Sequence, residues 1–293
     1  MNRPDILYPC LRSLREHNSA SMEVLVVAYM FSSANIAGLR EDFPWVKVVE
    51  SGEIRGFSEN NNLALRQARG KYCFVVNDDT LMSMPVIDLL LADMEKLGPR
   101  VAAVCPRIVF PDGRLQTLGR APWTPWRYFL HYLHLVDETK PSKWNKVSGL
   151  FRTYTLNGAC FLARTEVFRE AGWLDERFFF TPEDIALGHK FNEMGYEVWA
   201  DADVSITHIA GGTVSASEPA IKPARVRGSM VFYGEPFLLK LFIWCFEALR
   251  VLKYSVLPAS ARNSTMKATA RNVMRAVFSK LTPREIFLQF RSL

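Results

Sequence analysis

Two successive carboxylates, Asp78 and Asp79, follow the apolar run from Lys71 to Val76 (KYCFVV). Adjacent acids at the end of a buried strand repel each other and suit a core badly unless a cation or hydrogen-bond donors compensate. Magnesium or manganese would do so, since both take one or two protein carboxylates and complete their shell with substrate phosphates. A solvated turn that merely ends the strand is the plainer alternative. A second acidic pair, Glu183-Asp184, follows Phe178-Phe179-Phe180-Thr181-Pro182. Three Phe residues form an apolar wall that raises a carboxyl pKa toward the range of a general base. The same pair also suits the first turn of a helix, where the dipole favours acids, so both readings stand. His208 closes an apolar run ahead of Ile-Ala-Gly-Gly-Thr, a turn at which backbone can approach a ligand; a structural histidine is the alternative. His17, His131, His134 and His189 support no zinc site.

The elements that must hold these residues alternate. Apolar spacing predicts a helix over Asp5 to His17 and a buried strand over Glu23 to Tyr29 (EVLVVAY). A helix over Ala34 to Glu41, a strand over Val46 to Val49 and a helix over Asn60 to Ala68 follow, ahead of the KYCFVV strand. Pro85 to Leu97 reads as a helix and Val101 to Val109 as a strand. This order implies an α/β fold with a mostly parallel sheet covered by helices on both faces. Ligands of such sheets bind beyond the carboxyl ends of the strands, where Asp78 and Asp79 fall. Residues 111–150 lose any period and read as an aromatic insertion or acceptor loop. Order returns over residues 155–210, with strands at TLNGACFLA and before His208 and helices at Thr165 to Ala171 and Ile185 to Gly195. One catalytic domain is expected over residues 1–215, followed by a basic-apolar helical tail over 216–293.

The chain has 293 residues, 49% apolar content and a net charge of +6. Five scattered cysteines read as buried free thiols in a reducing compartment. The opening residues, MNRPDILYPC, hold no long uncharged apolar core, so no signal peptide and a cytoplasmic location are expected. Basic residues beyond 220 are interleaved with Phe, Leu and Trp, a mixture suited to anionic lipid rather than nucleic acid. On a helical wheel, Lys240, Glu247, Arg250 and Lys253 fall within roughly 140°, leaving Leu238, Leu241, Phe242, Cys245, Leu249, Leu252 and Val256 largely opposite. Such a helix lies at a membrane interface, here the inner face of the cell membrane, or packs on its own domain.

Four blocks, in order, resemble the family-two glycosyltransferases, a GT-A group that includes bacterial rhamnosyl-, galactosyl- and N-acetylglucosaminyltransferases. They are Arg55-Gly56-Phe57-Ser58-Glu59-Asn60-Asn61-Asn62-Leu63-Ala64, Asn77-Asp78-Asp79-Thr80, Asn157-Gly158-Ala159-Cys160 with the downstream LDERFFFTPED, and His208 with Gly212-Thr213. The resemblance covers about residues 2–215. It implies inverting transfer of a sugar from a nucleotide-sugar donor to a hydroxyl of a glycan or lipid-linked acceptor, with manganese or magnesium as cofactor. It makes Arg55, Gly56, Asn60, Asn61, Asp78, Asp79, Gly158 and Ala159 donor-binding residues, with Asp78 nearer the ribose. Asp79 becomes the metal ligand, joined by His208. Asp184 becomes the base, with Glu183 beside it. Two departures stand out: the family's opening strand has no counterpart ahead of Asn2, and Ala186 stands where a further carboxylate is frequent. A non-catalytic sugar-binding or scaffold relative is therefore one alternative. A sugar nucleotidyltransferase is another, although the Gly-rich phosphate loop it needs is absent.

Overall fold

The computed structural model describes residues 2–209, 218–258 and 260–291. Gly212 and Thr213 of the closing block lie outside these residues. The chain opens with α1 (Pro4–His17), which buries Leu7, Cys10, Leu11 and Leu14 on one face. Strand β1 (Val24–Tyr29) leads to α2 (Ser33–Asp42), capped by the Ser32 hydroxyl, which accepts from Asn35 N at 3.2 Å. Next come β2 (Val46–Ser51) and α3 (Phe57–Leu65), whose first turn is closed by Glu59 Oε2 accepting from Gly56 N at 2.8 Å. After β3 (Tyr72–Val76), β4 (Thr80–Leu81), α4 (Val86–Leu97) and β5 (Val101–Val109), the insertion supplies β6 (Leu115–Thr117), α5 (Pro125–Tyr132) and β7 (Leu150–Thr153). The order closes with β8 (Cys160–Arg164), α6 (Thr165–Glu170), α7 (Glu183–Glu193), β9 (Glu197–His208), α8 (Glu218–Phe232), α9 (Phe237–Val256), α10 (Ala261–Val277) and α11 (Pro283–Arg291).

The α/β class holds, and the strand directions are mixed rather than mostly parallel. The main sheet runs β3-β8-β5-β9-β4, with β6 on β5 and β7 on β9. Among the described residues, β5 and β9 are the one pair in it that runs parallel. The reason is where β8 begins: residues 157–159 lie at the carboxyl end of β3, so β8 runs back between β3 and β5, antiparallel to both. Alternation along these strands fills two layers. Ala103, Cys105, Phe161 and Ala163 face a core that includes Phe168 and Phe191, whereas Val104, Cys160 and Leu162 face Val86, Leu90 and Met94 of α4. β1 and β2 form a separate parallel pair. The run read as a buried strand is only partly so: Ala28 is buried and its five neighbours in β1 are half-exposed.

The segment expected as a tail packs on the rest of the chain. Ile185 of α7 shares a cluster with Val226 and Met230 of α8 and Val273 of α10, while Phe179 packs with Ile221, Ile286 and Phe287. In α9 the charged side faces inward. Glu247 is wholly buried with Arg250 at 2.9 Å and Lys222 at 3.2 Å, and Tyr132 hydrogen-bonds the same carboxylate. The apolar side faces out, with Leu238, Leu249 and Leu252 each about 65% exposed and Val256 more so. Cys245 is exposed on that helix, against the expectation of five buried thiols; the other four are buried. Among the described residues no helix is long and apolar enough to cross a membrane.

Candidate active site

The antiparallel pairing of β4 with β9 sets Thr80 opposite His208. Asp79, one residue earlier, therefore meets the end of β9: its backbone oxygen accepts from Ile209 N at 2.9 Å, and its carboxylate Oδ1 lies 3.0 Å from His208 Nε2. The imidazole is fixed from behind. Gln116 Oε1 lies 2.8 Å from His208 Nδ1, and Gln116 Nε2 donates to the His208 carbonyl at 2.7 Å. A neutral ring that donates Nδ1–H to Gln116 would leave its Nε2 lone pair beside Asp79 for a shared cation, the tautomer a metal-ligating histidine needs. Among the described residues no group of three or more His, Cys, Asp or Glu converges on a cation. One carboxylate and one imidazole fit an ion that draws the rest of its shell from phosphate and water, as magnesium and manganese do.

Asp78 has an exposed side yet is crowded by surrounding atoms, and that loss of solvent raises its carboxyl from its ordinary value, with the Asp79 charge adding to the effect. Neighbouring backbone ties the acidic turn to β8, since Asn77 N donates to Ala159 O at 2.9 Å. Buried Asn157 shapes that turn by accepting from Ala159 N at 3.0 Å. Gly158 N in turn donates to Asp184 Oδ2 at 3.0 Å. A side chain at 158 would stand 3.3 Å from the Asp184 β-carbon, so glycine allows this close approach. Asp79, Ala159, Gly158 and Asp184 thus form one connected wall.

Glu183 and Asp184 open α7, as the helix-cap reading expects. Their surroundings differ. Asp184 is partly open and lies 3.4 Å from Arg120 Nη1 of the insertion. Glu183 is buried, its Oε2 lacks a hydrogen-bond partner, and burial raises its pKa well above the carboxylate range, with the Asp184 charge acting the same way and Arg225 opposing. Burial accordingly perturbs Glu183, the member of the pair turned away from solvent. The wall itself is held by the last helices: the Phe179 and Phe180 rings lie 4.8 and 5.4 Å from that of Phe287.

The first donor block lies at the end of β2. Asn60 Oδ1 accepts from Ser51 Oγ at 2.7 Å, and Arg55 Nη1 donates to the same hydroxyl at 3.2 Å while also pairing with Glu53. Gly56 is required by packing, because a β-carbon there would lie 2.5 Å from the Phe179 carbonyl oxygen. Asn61 donates to Phe57 O at 2.9 Å and lines a cavity between β1 and β3. Asn62, within the same block, is buried and from α3 donates to Leu174 O and Glu176 Oε1, each at 2.8 Å. Gln116, Arg120 and Arg225 were missed: two lie in the aperiodic insertion and one on a helix with no motif.

A glycosyl transferase family 2 model matches residues 1–158. Over 211 residues the chain is 26% identical to the O-antigen biosynthesis protein RfbC of Myxococcus xanthus, covering 71% of this chain and 16% of that protein. Over 182 residues it is 28% identical to the N-acetylglucosaminyl-diphospho-decaprenol L-rhamnosyltransferase of Mycobacterium tuberculosis, covering 53% of this chain and 55% of the relative. The chain thus spans about half or less of the length of these relatives. Among solved structures, GalNAc-T7 with UDP, GalNAc and Mn2+ aligns at a TM-score of 0.58 and 13% identity, over 94% of this chain and 54% of the other. The mannosyltransferase PcManGT of Pyrobaculum calidifontis with GDP-Man and Mn2+ aligns at 0.54 and 17%, over 99% and 81%. At these identities the likeness speaks for the fold, a GT-A-type α/β architecture. With the family model matching more than half of its residues, this chain belongs to glycosyl transferase family 2.

Proposed function

We propose that the protein transfers a hexosyl or deoxyhexosyl group from a nucleotide-sugar donor to an acceptor hydroxyl, in one displacement that inverts the anomeric carbon. The observation that carries this reading is the connected wall from Asp79 and His208 to Asp184 through Ala159 and Gly158. Asp79 and His208 would hold a manganese or magnesium ion, which when bound offsets the charge that grows on the departing nucleoside diphosphate. Asp78, at the exposed end of the turn, is assigned to the ribose. Gly158 and Ala159 bring backbone close to the sugar. Asp184 takes the proton of the acceptor hydroxyl as its oxygen attacks, and Arg120 and Gly158 N set the carboxylate's direction. Glu183, buried and uncharged through much of the working range, is a positioning residue. Arg55 and Asn60 are assigned to the nucleotide end of the donor. The test is a transfer and donor-hydrolysis screen across nucleotide sugars, with and without manganese. Absence of any metal-stimulated donor turnover in the folded protein would favour the non-catalytic alternative.

The acceptor reading is a lipid-linked glycan at a membrane surface, supported by the outward apolar side of α9. That side continues onto α5 through Phe129, whose ring lies 5.3 Å from Phe242, to Trp126, which is 62% exposed. From residue 237 onward the sequence holds ten Lys or Arg and two acids, one of them the buried Glu247. An apolar stripe beside exposed Lys253, Arg262, Arg271 and Arg275 suits the interface of an anionic bilayer. Co-sedimentation with phosphatidylglycerol vesicles checks this. Binding that weakens with salt yet persists is expected, and indifference to the vesicles would remove the membrane from the reading.

A further inference from the structure

One histidine that the reaction above leaves unused holds the insertion in place. His189 lies farther along α7 than Asp184, and its Nε2 accepts from Trp123 N at 3.1 Å. A backbone N–H only donates, so this nitrogen carries no proton and the neutral ring keeps its hydrogen on Nδ1. Two rings fix its plane, Tyr154 at 4.8 Å and Phe232 of α8 at 5.3 Å, both in T-shaped contact. Trp123 itself is buried and shares a cluster with Ile185 of α7 and with Val226 and Met230 of α8. The hydrogen bond therefore joins a loop without a period of its own to the helix that carries Asp184.

The same stretch of the insertion reaches the carboxylate. Arg120, just ahead of Trp123, places Nη1 3.4 Å from Asp184 Oδ2, longer than the ~2.7–2.9 Å usual for a charge-assisted hydrogen bond. A contact this loose takes its direction from the backbone behind it. That backbone is tied to Thr153 Oγ1 at 2.8 Å and to Tyr154 N at 3.0 Å, and Tyr154 O accepts from Asn192 of α7 at 3.0 Å. We propose that His189 is a positioning residue for the base: as a neutral imidazole it pins Trp123 N to α7 and so keeps Arg120 aimed at Asp184, and an imidazolium releases the pin. The role given to Asp184 here rests on the transfer reading above. An imidazolium carries N–H on both nitrogens and turns a donor against the Trp123 N–H. Burial lowers the His189 pKa from its ordinary value, with Glu193 opposing. The cavity it lines also holds Arg66, Arg177 and Lys190 against Asp175, Glu176 and Glu193, and Arg127 and His131 flank the Trp123 ring. The native state thus takes the proton less readily than the unfolded chain. The pin is complete above about 6.5, the ordinary histidine value, and is lost as pH falls through the lower folded value.

His189→Gln and His189→Phe in the full chain test it. Gln offers an amide oxygen at similar reach that accepts at every working pH, whereas Phe keeps the ring contacts and accepts nothing. Nitrogen-15 NMR of the parent should show His189 as the Nδ1–H tautomer, titrating below about 6.5. Trp123 amide exchange, corrected for its intrinsic pH dependence, should lose at least about fivefold protection in the parent between about pH 7.5 and about pH 5. His189→Gln should show no such loss, and His189→Phe should be unprotected at both. Turnover of the nucleotide sugar used fastest in the screen above should follow. His189→Phe should lower kcat about three- to tenfold at an unchanged donor dissociation constant, and His189→Gln should restore it and flatten part of the parent's fall in kcat toward acid pH. Should His189→Phe fold poorly, the parent and His189→Gln carry the same contrast through pH alone. A proton on Nε2 at neutral pH, Trp123 exchange indifferent to both substitutions, or a kcat that drops equally in both variants would each overturn the proposal. A folded parent that turns over no donor counts instead against the transfer reading, and NMR and exchange then still decide whether the pin exists.

Discussion

Gln116 offers a sharp test of the metal site, because it touches neither substrate nor cation in the reading above. Gln116→Leu keeps the bulk but removes two hydrogen bonds, one to His208 Nδ1 at 2.8 Å and one from Gln116 Nε2 to the His208 carbonyl at 2.7 Å. At about 1 kcal/mol each, their loss amounts to about 2 kcal/mol, or roughly thirtyfold in an equilibrium constant. The first bond fixes which ring nitrogen carries the proton; without it the imidazole can turn or present an N–H toward Asp79. Outer partners of this kind typically govern metal affinity over about 10- to 100-fold, and the hydrogen-bond count falls inside that range. Calorimetry with manganese and a nucleoside diphosphate, at fixed pH, would measure the effect. Gln116→Glu retains an acceptor for Nδ1–H and should recover most of the affinity, whereas Asp79→Ala should abolish it. A folded Gln116→Leu protein that binds manganese as tightly as the parent would refute the assignment of His208 as a ligand.

Asp184→Asn should keep donor binding while lowering turnover about 10²- to 10⁴-fold, read as kcat against the donor dissociation constant; near-normal turnover would move the base elsewhere. Glu183 has a folded pKa raised by burial, so the native state holds its proton more tightly than the unfolded chain does. Its contribution to stability is accordingly lost as pH rises from about 4.3, the ordinary carboxyl value, upward through neutrality. Glu183→Gln should flatten the fall of melting temperature across that window, and an unchanged pH profile would contradict the shift. Gly56→Ala places a β-carbon 2.5 Å from the Phe179 carbonyl oxygen and should destabilise the fold by about 1–3 kcal/mol in urea titration. Cys245 is the exposed thiol among the described residues. A polarity-sensitive dye attached there should shift to the blue on anionic vesicles, and no shift would place the outer side of α9 in water.

The acidic turn after β3 was legible because a strand end followed by adjacent carboxylates is a local pattern, and His208 was legible for the same reason. What brings them to within 3.0 Å is the pairing of β4 with β9, a contact across more than a hundred residues that no local spacing reveals. Glu183-Asp184 could be read both as a cap and as a site pair; the structure shows the pair opening α7, and which of the two carboxyls is buried depended on which side of that helix faces the core. Gln116 and Arg120 were hidden because the insertion gets its order from β5, β9 and α7 rather than from a period of its own. In α9 the two-sided pattern was plain from the sequence. Which side turns inward was not, since the inward partners of its charges are Lys222, Tyr132 and Glu235, distant in sequence or outside the helix.

That inward charge has a mechanical consequence. The wholly buried Glu247 carboxylate is held between Arg250 and Lys222, and breaking such a buried set typically costs about 3–5 kcal/mol. The helix therefore cannot roll about its own axis to hide its leucines, and its azimuth is locked to the body that carries Asp79 and Asp184. Whatever flat surface that stripe rests on, the cleft is held above it at one height and one tilt. Under the acceptor reading proposed above, a hydroxyl presented nearer or farther than that height would stay out of reach of Asp184, and the spacer between an anchored acceptor's anchor and its sugar would become a selected length.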